Sequence, residues 1–126
     1  MLKINEARYF VMVNNSYFRQ LALSFPGTVE LPHFEKTSFR INKKIFATLD
    51  TANLRACIKL SPVDQSVFCA FDKAVIYPVN NKWGQQGWTL VELTIIKKNM
   101  LKDITATAYK EITLSKTVKR NSLKHS

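Results

Sequence analysis

The sequence predicts an α+β domain in which an antiparallel sheet has helices packed on one side, in the order α-β-β-β-α-β-β-α. Apolar residues recur at helical spacing near both ends of the chain and once between them, and short alternating runs typical of half-buried strands separate these segments. With 126 residues, of which 46% are hydrophobic, the chain can build one core. We therefore predict a single domain over residues 1–114 and a basic, flexible tail over residues 115–126.

The first predicted element is a helix over residues 4–24. Its apolar residues recur at three- and four-residue steps and so share one face: Ala7, Val11, Phe18, Leu21 and Phe25. Asn14-Asn15 weakens the middle of this helix, and Pro26-Gly27 ends it. Residues 28–36 are predicted to be a loop.

A hairpin follows over residues 37–50, because Thr37, Phe39 and Ile41 alternate with polar residues. Its turn is predicted at Asn42-Lys43-Lys44. Residues 54–60 form a third strand, on which alternation sends Arg55 and Lys59 to the same face.

The second predicted helix begins at Ser61-Pro62, with serine as the N-cap and proline in the first turn. Asp64 in that turn complements the helix dipole. The expected buried face comprises Val63, Val67, Ala70 and Phe71. Residues 74–79 form a short strand at the sheet edge, because Pro78 cannot donate to a ladder.

The run Lys82-Trp83-Gly84-Gln85-Gln86-Gly87-Trp88 contains two of the three glycines in the chain. It predicts a second hairpin, with a four-residue loop from Gly84 to Gly87 and the two tryptophans facing each other across the strands. Residues 88–93 return as a strand. A closing helix over residues 97–113 directs four apolar residues inward: Leu101, Ile104, Ala108 and Ile112.

The net charge is +10 and favours an acidic partner. Residues 114–126 carry four of the cations and no acid, which leaves 15 basic and nine acidic residues, or +6, on the body. Cys57 and Cys69 lack the spacing of a zinc site and suit a reducing cytoplasm as unpaired thiols. We expect a cytoplasmic protein without a signal peptide or a membrane span.

Little in the sequence suggests catalysis, and we expect no enzyme activity, no cofactor and no metal. A catalytic pair would have to centre on His33, with Thr37, Ser38 or Cys57 as the nucleophile. Glu30 and Glu35 flank His33, but a loop histidine beside a carboxylate is more often structural. No glycine-rich loop is present that could hold a phosphate.

The two predicted hairpin tips carry the residues best suited to bind a ligand. Basic side chains at a tip can reach phosphates, amides can hydrogen-bond to base edges, and an indole can stack on a base. These residues are Arg40, Lys43, Lys44, Lys82, Trp83, Gln85 and Gln86. Turns are often polar merely because they are solvated, and Trp83 and Trp88 can equally serve as packing residues.

Several blocks, in order from about residue 6 to residue 113, together resemble the MmcQ/YjbR family. They are Phe25-Pro26-Gly27-Thr28-Val29-Glu30-Leu31-Pro32-His33-Phe34, Thr37–Ile41, Lys44–Leu49, Lys59-Leu60-Ser61-Pro62, Tyr77-Pro78-Val79, Asn81-Lys82-Trp83-Gly84, Gln86-Gly87 and Ala108-Tyr109. The resemblance implies a CyaY-like or secretion-chaperone-like α+β fold. It also implies DNA binding through a double-wing arrangement, with wings around Asn42–Lys44 and Lys82–Gly87.

Two functions follow from the sequence. The first is DNA binding, with duplex DNA as the expected partner and both hairpin tips contacting the backbone. The second is a protein-interaction or chaperone-like module, in which a flat sheet and an exposed Trp83 hold an acidic protein. We expect a monomer in either case.

Overall fold

The computed structural model describes residues 13–125, with side chains described to residue 114. Four helices and six strands form this part of the chain. In order they are α1 (Asn15–Leu23), β1 (Val29–His33), β2 (Lys36–Ile41), β3 (Lys44–Asp50), β4 (Arg55–Lys59), α2 (Pro62–Cys69), β5 (Ile76–Pro78), α3 (Lys82–Gln85), β6 (Trp88–Glu92) and α4 (Lys98–His125). The fold is α+β, as the sequence predicts.

The six strands form one sheet in the order β1-β2-β3-β4-β6-β5, and every neighbouring pair is antiparallel. β4 lies between β3 and β6, with Ala47 opposite Ile58 on one side and Lys59 opposite Trp88 on the other. β5 is an edge strand, which confirms the position predicted from Pro78.

The core lies between the helices and one face of the sheet, which we call the inner face. Phe18 of α1 meets Phe39 of β2 edge to face, with ring centroids 5.7 Å apart. Leu101, Ile104 and Ala108 of α4 are fully buried, as their spacing predicts. We call the opposite face the outer face. None of the helices described between residues 15 and 125 forms a layer over it, and it positions the candidate site.

The helix predicted over residues 4–24 begins at Asn15 within the described residues. Asn14 is its N-cap, and the Asn14 side chain accepts a hydrogen bond of 2.8 Å from the backbone N–H of Tyr17. The asparagine pair predicted to weaken the helix is therefore where α1 starts. The predicted contributions of Ala7 and Val11 lie outside the described residues.

Residues 28–36 were predicted to be a loop, and this prediction is wrong. Residues 29–33 form strand β1, which pairs with β2 and places His33 opposite Lys36. Phe34, with a φ of +59°, makes the tight turn between them. Pro32 is compatible with a strand here because β1 is the other edge of the sheet.

The buried face predicted for the second helix is also wrong. All four residues of that face are exposed: Val63, Val67, Ala70 and Phe71. The inward side instead carries Gln65, whose Nε2 donates to the backbone oxygens of Gly84 (2.9 Å) and Trp88 (3.2 Å) and to Thr89 Oγ1 (3.1 Å). These hydrogen bonds fix the rotation of α2 and turn its valines outward.

The last helix, α4, extends beyond the predicted end at residue 113 and runs to His125. It therefore includes most of the segment predicted to be a basic tail, and the flexibility of that segment stays a prediction. Among the helices that the structure describes, none combines the length and the apolar character needed to cross a bilayer.

Candidate nucleic-acid interface

The turn between β2 and β3 presents two lysines to solvent. Asn42 and Lys43 have φ angles of +50° and +73°, the conformation of a two-residue type I′ turn between strands that pair Ile41 with Lys44. Asn42, Lys43 and Lys44 are all exposed. The first predicted tip is therefore a tight β-hairpin.

Arg40 does not extend from this tip. It is half-buried, and its Nε donates a 2.8 Å hydrogen bond to Ser38 Oγ, which in turn donates to the backbone oxygen of Leu31 at 2.9 Å. A register shift between Phe39 and Arg40 accompanies this arrangement. The Arg40 side chain thus lies along the sheet, with one donor already engaged.

The second predicted tip is not a hairpin loop. Residues 82–85 form the short helix α3, and the side chain of Asn81 caps it by accepting a 2.8 Å hydrogen bond from the N–H of Trp83. Trp83 and Trp88 therefore do not face each other as cross-strand partners. Trp83 lies on α3, whereas Trp88 is the first residue of β6 and pairs with Lys59.

The two glycines of this segment allow close backbone contacts. A Cβ on Gly84 would lie 1.9 Å from the carbonyl oxygen of Val79, and one on Gly87 would lie 1.8 Å from that of Leu60. The N–H of Leu60 also donates to the oxygen of Gly87 at 3.0 Å. The glycines thus anchor α3 and β6 against β4 and β5.

Strand register brings the two tips to the same end of the sheet. The β2–β3 turn precedes Lys44, Lys59 ends β4 beside Trp88, and α3 connects the ends of β5 and β6. We call this the basic end, defined as Asn42–Lys44, Lys59 and Lys82–Gln86. Lys43, Lys44, Lys82, Gln85 and Gln86 are exposed there, and Lys59 is half-buried.

The basic end contains no acidic residue in the segments that form it. Residues 41–49, 56–63 and 77–91 carry four lysines and neither aspartate nor glutamate. The acids that directly follow these ranges are Asp50, Asp64 and Glu92. Asp50 and Glu92 lie beside Arg55 at the opposite end of the sheet, and Asp64 lies in the first turn of α2. Within residues 13–114, the ion pairs are Arg19–Glu30 and Arg55–Glu92, and neither involves one of these four lysines. Four like charges in this arrangement favour contact with a polyanion.

The outer face forms a trough of about 630 Å³, which we call the outer-face trough. Residues of β3, β4 and β6 line its floor, and Trp83 of α3 borders it at the basic end. The full lining is His33, Lys36, Ile45, Thr48, Asp50, Arg55, Cys57, Val79, Trp83, Trp88 and Leu90. Its middle is apolar, and its other end is charged.

One ion pair and several hydrogen bonds organise the charged end of the trough. Arg55 Nε donates to Glu92 at 2.9 Å, and the Tyr77 hydroxyl donates to the same carboxylate, which raises the pKa of Tyr77. Hydrogen bonds from Asn53 lower the pKa of Asp50, and the charges of Lys36 and Arg55 act in the same direction. Asp50 is therefore an anion held among cations.

Cys57 indicates how apolar the floor is. Burial raises the pKa of its thiol to about 11, although the charge of Lys36 acts in the opposite direction. A neutral thiol is a poor nucleophile and a poor metal ligand at pH 7. The residue therefore serves as an apolar part of the floor.

The candidate catalytic group, His33, lies at the margin of this trough. Its ring contacts Phe34 at a centroid distance of 4.9 Å. Glu30 is held by Arg19 at 2.7 Å. The carboxylate of Glu30 is therefore engaged by an arginine.

The sequence did not predict the trough, but it predicted the face on which part of the trough lining lies. The prediction that Arg55 and Lys59 share a face is confirmed, because both lie on the outer face with Cys57 between them. Thr48 and Leu90 lie on the same face of the neighbouring strands. Alternation in those strands was the sequence pattern that could have indicated the rest of the lining. The register needed to align those strands was not visible in the sequence.

Fold and site together define a small α+β domain in which helices pack on one face of an antiparallel sheet. In the described part of the chain, the other face forms a trough beside a lysine-rich end. The YjbR family model matches residues 23–111 of this chain. The chain therefore belongs to the YjbR family, which confirms the resemblance seen in its sequence blocks.

A solved structure supports the same fold. The crystal structure of Deinococcus radiodurans protein DR2400, which has a domain of the DUF419 family model, is similar with a TM-score of 0.70. The two chains are 20% identical over 81% of this chain and 80% of that one, so the likeness concerns the fold. No curated protein matches the chain.

Proposed function

We propose that this protein binds DNA through its basic end, with the lysines contacting phosphates. The observation that carries the proposal is the strand register, which brings the β2–β3 turn and the α3 segment to one end of the sheet with four lysines and no acid in the segments that form it. Positive charge concentrated in this way attracts the DNA backbone and releases its counterions.

The polar residues predicted for the site each have a definite part in this proposal. Lys43, Lys44 and Lys82 are exposed and contact phosphates, and Lys59 extends the same surface. Arg40 contributes its remaining guanidinium donors from the outer face, since its Nε is bound to Ser38. Gln85 and Gln86 are exposed beside the backbone contacts and are the candidates to hydrogen-bond to base edges.

The triple variant Lys43→Ala/Lys44→Ala/Lys82→Ala tests the proposal. We expect its affinity for DNA to fall by at least 30-fold (about 2 kcal/mol) at 50 mM salt, because three phosphate contacts are lost. Its melting temperature should change little, since the three side chains are exposed. Fluorescence anisotropy with labelled DNA and thermal denaturation measure the two quantities.

A second triple variant provides the matched control. Lys73, Lys102 and Lys110 are also exposed but lie on the α2–β5 connection and on α4, away from the basic end. Their replacement by alanine removes the same net charge, and we expect it to weaken binding less than threefold. Equal losses in both variants would mean that net charge, and not the basic end, determines the affinity.

An acidic protein is the second candidate partner, and one observation favours a protein. Val63 and Val67 of α2, with Phe71 just after the C-cap of that helix, are exposed apolar residues at helical spacing. Such a surface is more typical of protein contacts than of DNA contacts. The basic end would then contact carboxylates. A poly-glutamate peptide that binds more tightly than DNA of equal charge, and loses affinity in the Lys43/Lys44/Lys82 variant, would support this candidate.

We also propose a cytoplasmic location, where either partner is accessible. Cys57 and Cys69 are unpaired, which suits a reducing compartment. Fractionation of cells that produce the tagged protein tests this proposal, and enrichment outside the cytoplasm would contradict it.

A further inference from the structure

The outer-face trough joins an apolar floor to a cationic rim. Ile45, Cys57 and Leu90 lie in the floor, Trp83 borders it, and the lysines of the basic end lie beyond that border. Phosphate groups are suited to the rim and not to the floor, because moving a charge onto an apolar surface is costly. A nucleobase is suited to the floor, because its faces are flat and weakly polar.

We propose that this trough accepts unstacked nucleobases, so that the protein binds single-stranded nucleic acid in preference to duplex. The proposal rests on the proposed function and specifies its ligand. Bases in a duplex are stacked and paired and cannot enter a trough on a protein surface, whereas those of a single strand can be splayed out.

Trp83 is the residue that would receive the first base. Its side chain is 50% exposed, so the indole is available for stacking and still anchored by α3. Lys82 Nζ lies 5.8 Å from the centroid of the same ring. A base stacked on this indole would therefore have a cation within reach of its phosphate, the combination that single-strand binders use.

The size and the other end of the trough are consistent with a short stretch of bases. Its floor spans β3, β4 and β6, which at the usual strand spacing is about 10 Å across. Lys36, Asp50 and Arg55 at the far end provide donors and an acceptor for base edges. The trough is thus wide enough for one or two bases, with polar groups where their edges would lie.

The shape of the second tip also favours a single strand over a duplex. A projecting ribbon can enter a duplex groove, but α3 is a four-residue helical turn whose Gly84 packs against Val79. It presents Trp83 to the outer-face trough and not to a space beyond the sheet. Of the two predicted tips, the Asn42–Lys43 turn alone has the form of a narrow hairpin tip.

The test compares one labelled 12-nucleotide DNA as a single strand and as a duplex, by fluorescence anisotropy at 50 mM salt. The wild-type protein should bind the single strand at least tenfold more tightly. Trp83→Ala should lose about five- to hundred-fold in single-strand affinity, the range expected for one stacked base, and little in duplex affinity. Trp83→Tyr should retain most of the binding, since a phenol also stacks.

Phe71→Ala is the matched control, because Phe71 is an exposed aromatic residue outside the trough lining. It should change neither affinity. Thermal denaturation of each variant separates loss of fold from loss of stacking, and Trp83→Tyr repeats the test if Trp83→Ala is unstable.

Each other outcome has a distinct meaning. Equal or tighter binding of the duplex overturns the inference but leaves the proposed function standing, as does full single-strand affinity in Trp83→Ala. Absence of binding to both forms overturns the proposed function together with the inference. Tryptophan fluorescence that responds to an acidic peptide but to neither DNA also overturns the inference, and it points to a protein ligand.

Discussion

At the scale of single residues, Gly84 and Gly87 let the α3 segment lie directly on its neighbours. The carbonyl oxygens of Val79 and Leu60 occupy the positions that side chains at these glycines would need. Gly87 also has a φ of +107°, which residues with a Cβ rarely adopt. The two glycines therefore determine where Trp83 and Trp88 stand.

Alanine substitutions at the glycines should distinguish two effects on stability: the clash of a new Cβ with a neighbouring backbone, and the strain of a positive φ angle. We expect Gly84→Ala and Gly87→Ala each to lower the free energy of unfolding by about 2–4 kcal/mol, because a Cβ forces the backbones apart. Gly27→Ala should cost only about 1–2 kcal/mol, since Gly27 has a φ of +82° but its nearest contact is Ile41 Cδ1 at 3.6 Å. Urea denaturation measures all three, and equal losses would contradict the close approach.

Cys57 should make the protein less stable in alkali. Burial raises the pKa of its thiol from 9.0 to about 11 in the folded state, so the unfolded chain loses this proton at a lower pH than the folded one does. The stabilisation of the folded state is complete below about pH 9 and is lost as the pH rises to about 11.

The corresponding measurement is the free energy of unfolding between pH 8 and pH 11. Over this range the wild-type value should fall by about 1–3 kcal/mol more than that of Cys57→Ala. The variant keeps every lysine and tyrosine, so the difference isolates the thiol. Parallel curves for the two proteins would show that Cys57 is not shielded from water in the folded state.

At the scale of elements, helix α2 shows how polar contacts can outweigh an apolar pattern. Val63, Val67 and Phe71 follow helical spacing and predict a buried face, yet their exposed fractions are 73%, 54% and 64%. The three hydrogen bonds of Gln65 to α3 and β6 determine the rotation instead. Burying Gln65 without these partners would be costly.

Two neighbouring positions on α2 test this rotation. Val67→Ser should change the free energy of unfolding by less than about 0.5 kcal/mol, because Val67 faces solvent. Phe68→Ala should lower it by about 2–3 kcal/mol, because Phe68 packs against the core. Chemical denaturation of both variants provides the comparison, and the reverse order would mean that α2 buries its valines.

The sequence predicts elements better than it predicts their connections. Alternation in β2, β3 and β4 and helical spacing in α4 are repeated over several residues, so they identify their elements reliably. The α3 turn depends on one N-cap, Asn81, and on two tight contacts of glycine with distant backbone. A glycine pair predicts a turn, but its tertiary contacts decide whether that turn is helical.

At the scale of the whole molecule, charge and topology act together. Composition gives the lysine excess, and local patterns give two polar turns, but only the order β3-β4-β6 brings Lys43, Lys59 and Lys82 to one end. The outer-face trough is likewise assembled from residues on separate strands, joined by a register that no local pattern encodes. The candidate residues were therefore predictable from the sequence. Their placement at one end was a hypothesis of the double-wing arrangement that required the strand register to establish, and the trough was not predicted.

The salt dependence of DNA binding tests the central claim, that the basic end contacts phosphates, most directly. Between 50 and 200 mM salt, log K should fall against log salt with a slope of about −3 to −4, as four phosphate contacts require. The Lys43→Ala/Lys44→Ala/Lys82→Ala variant should flatten the slope by about two to three units. A slope near zero, a slope unchanged in that variant, or no binding below about 100 µM at 50 mM salt would contradict the account.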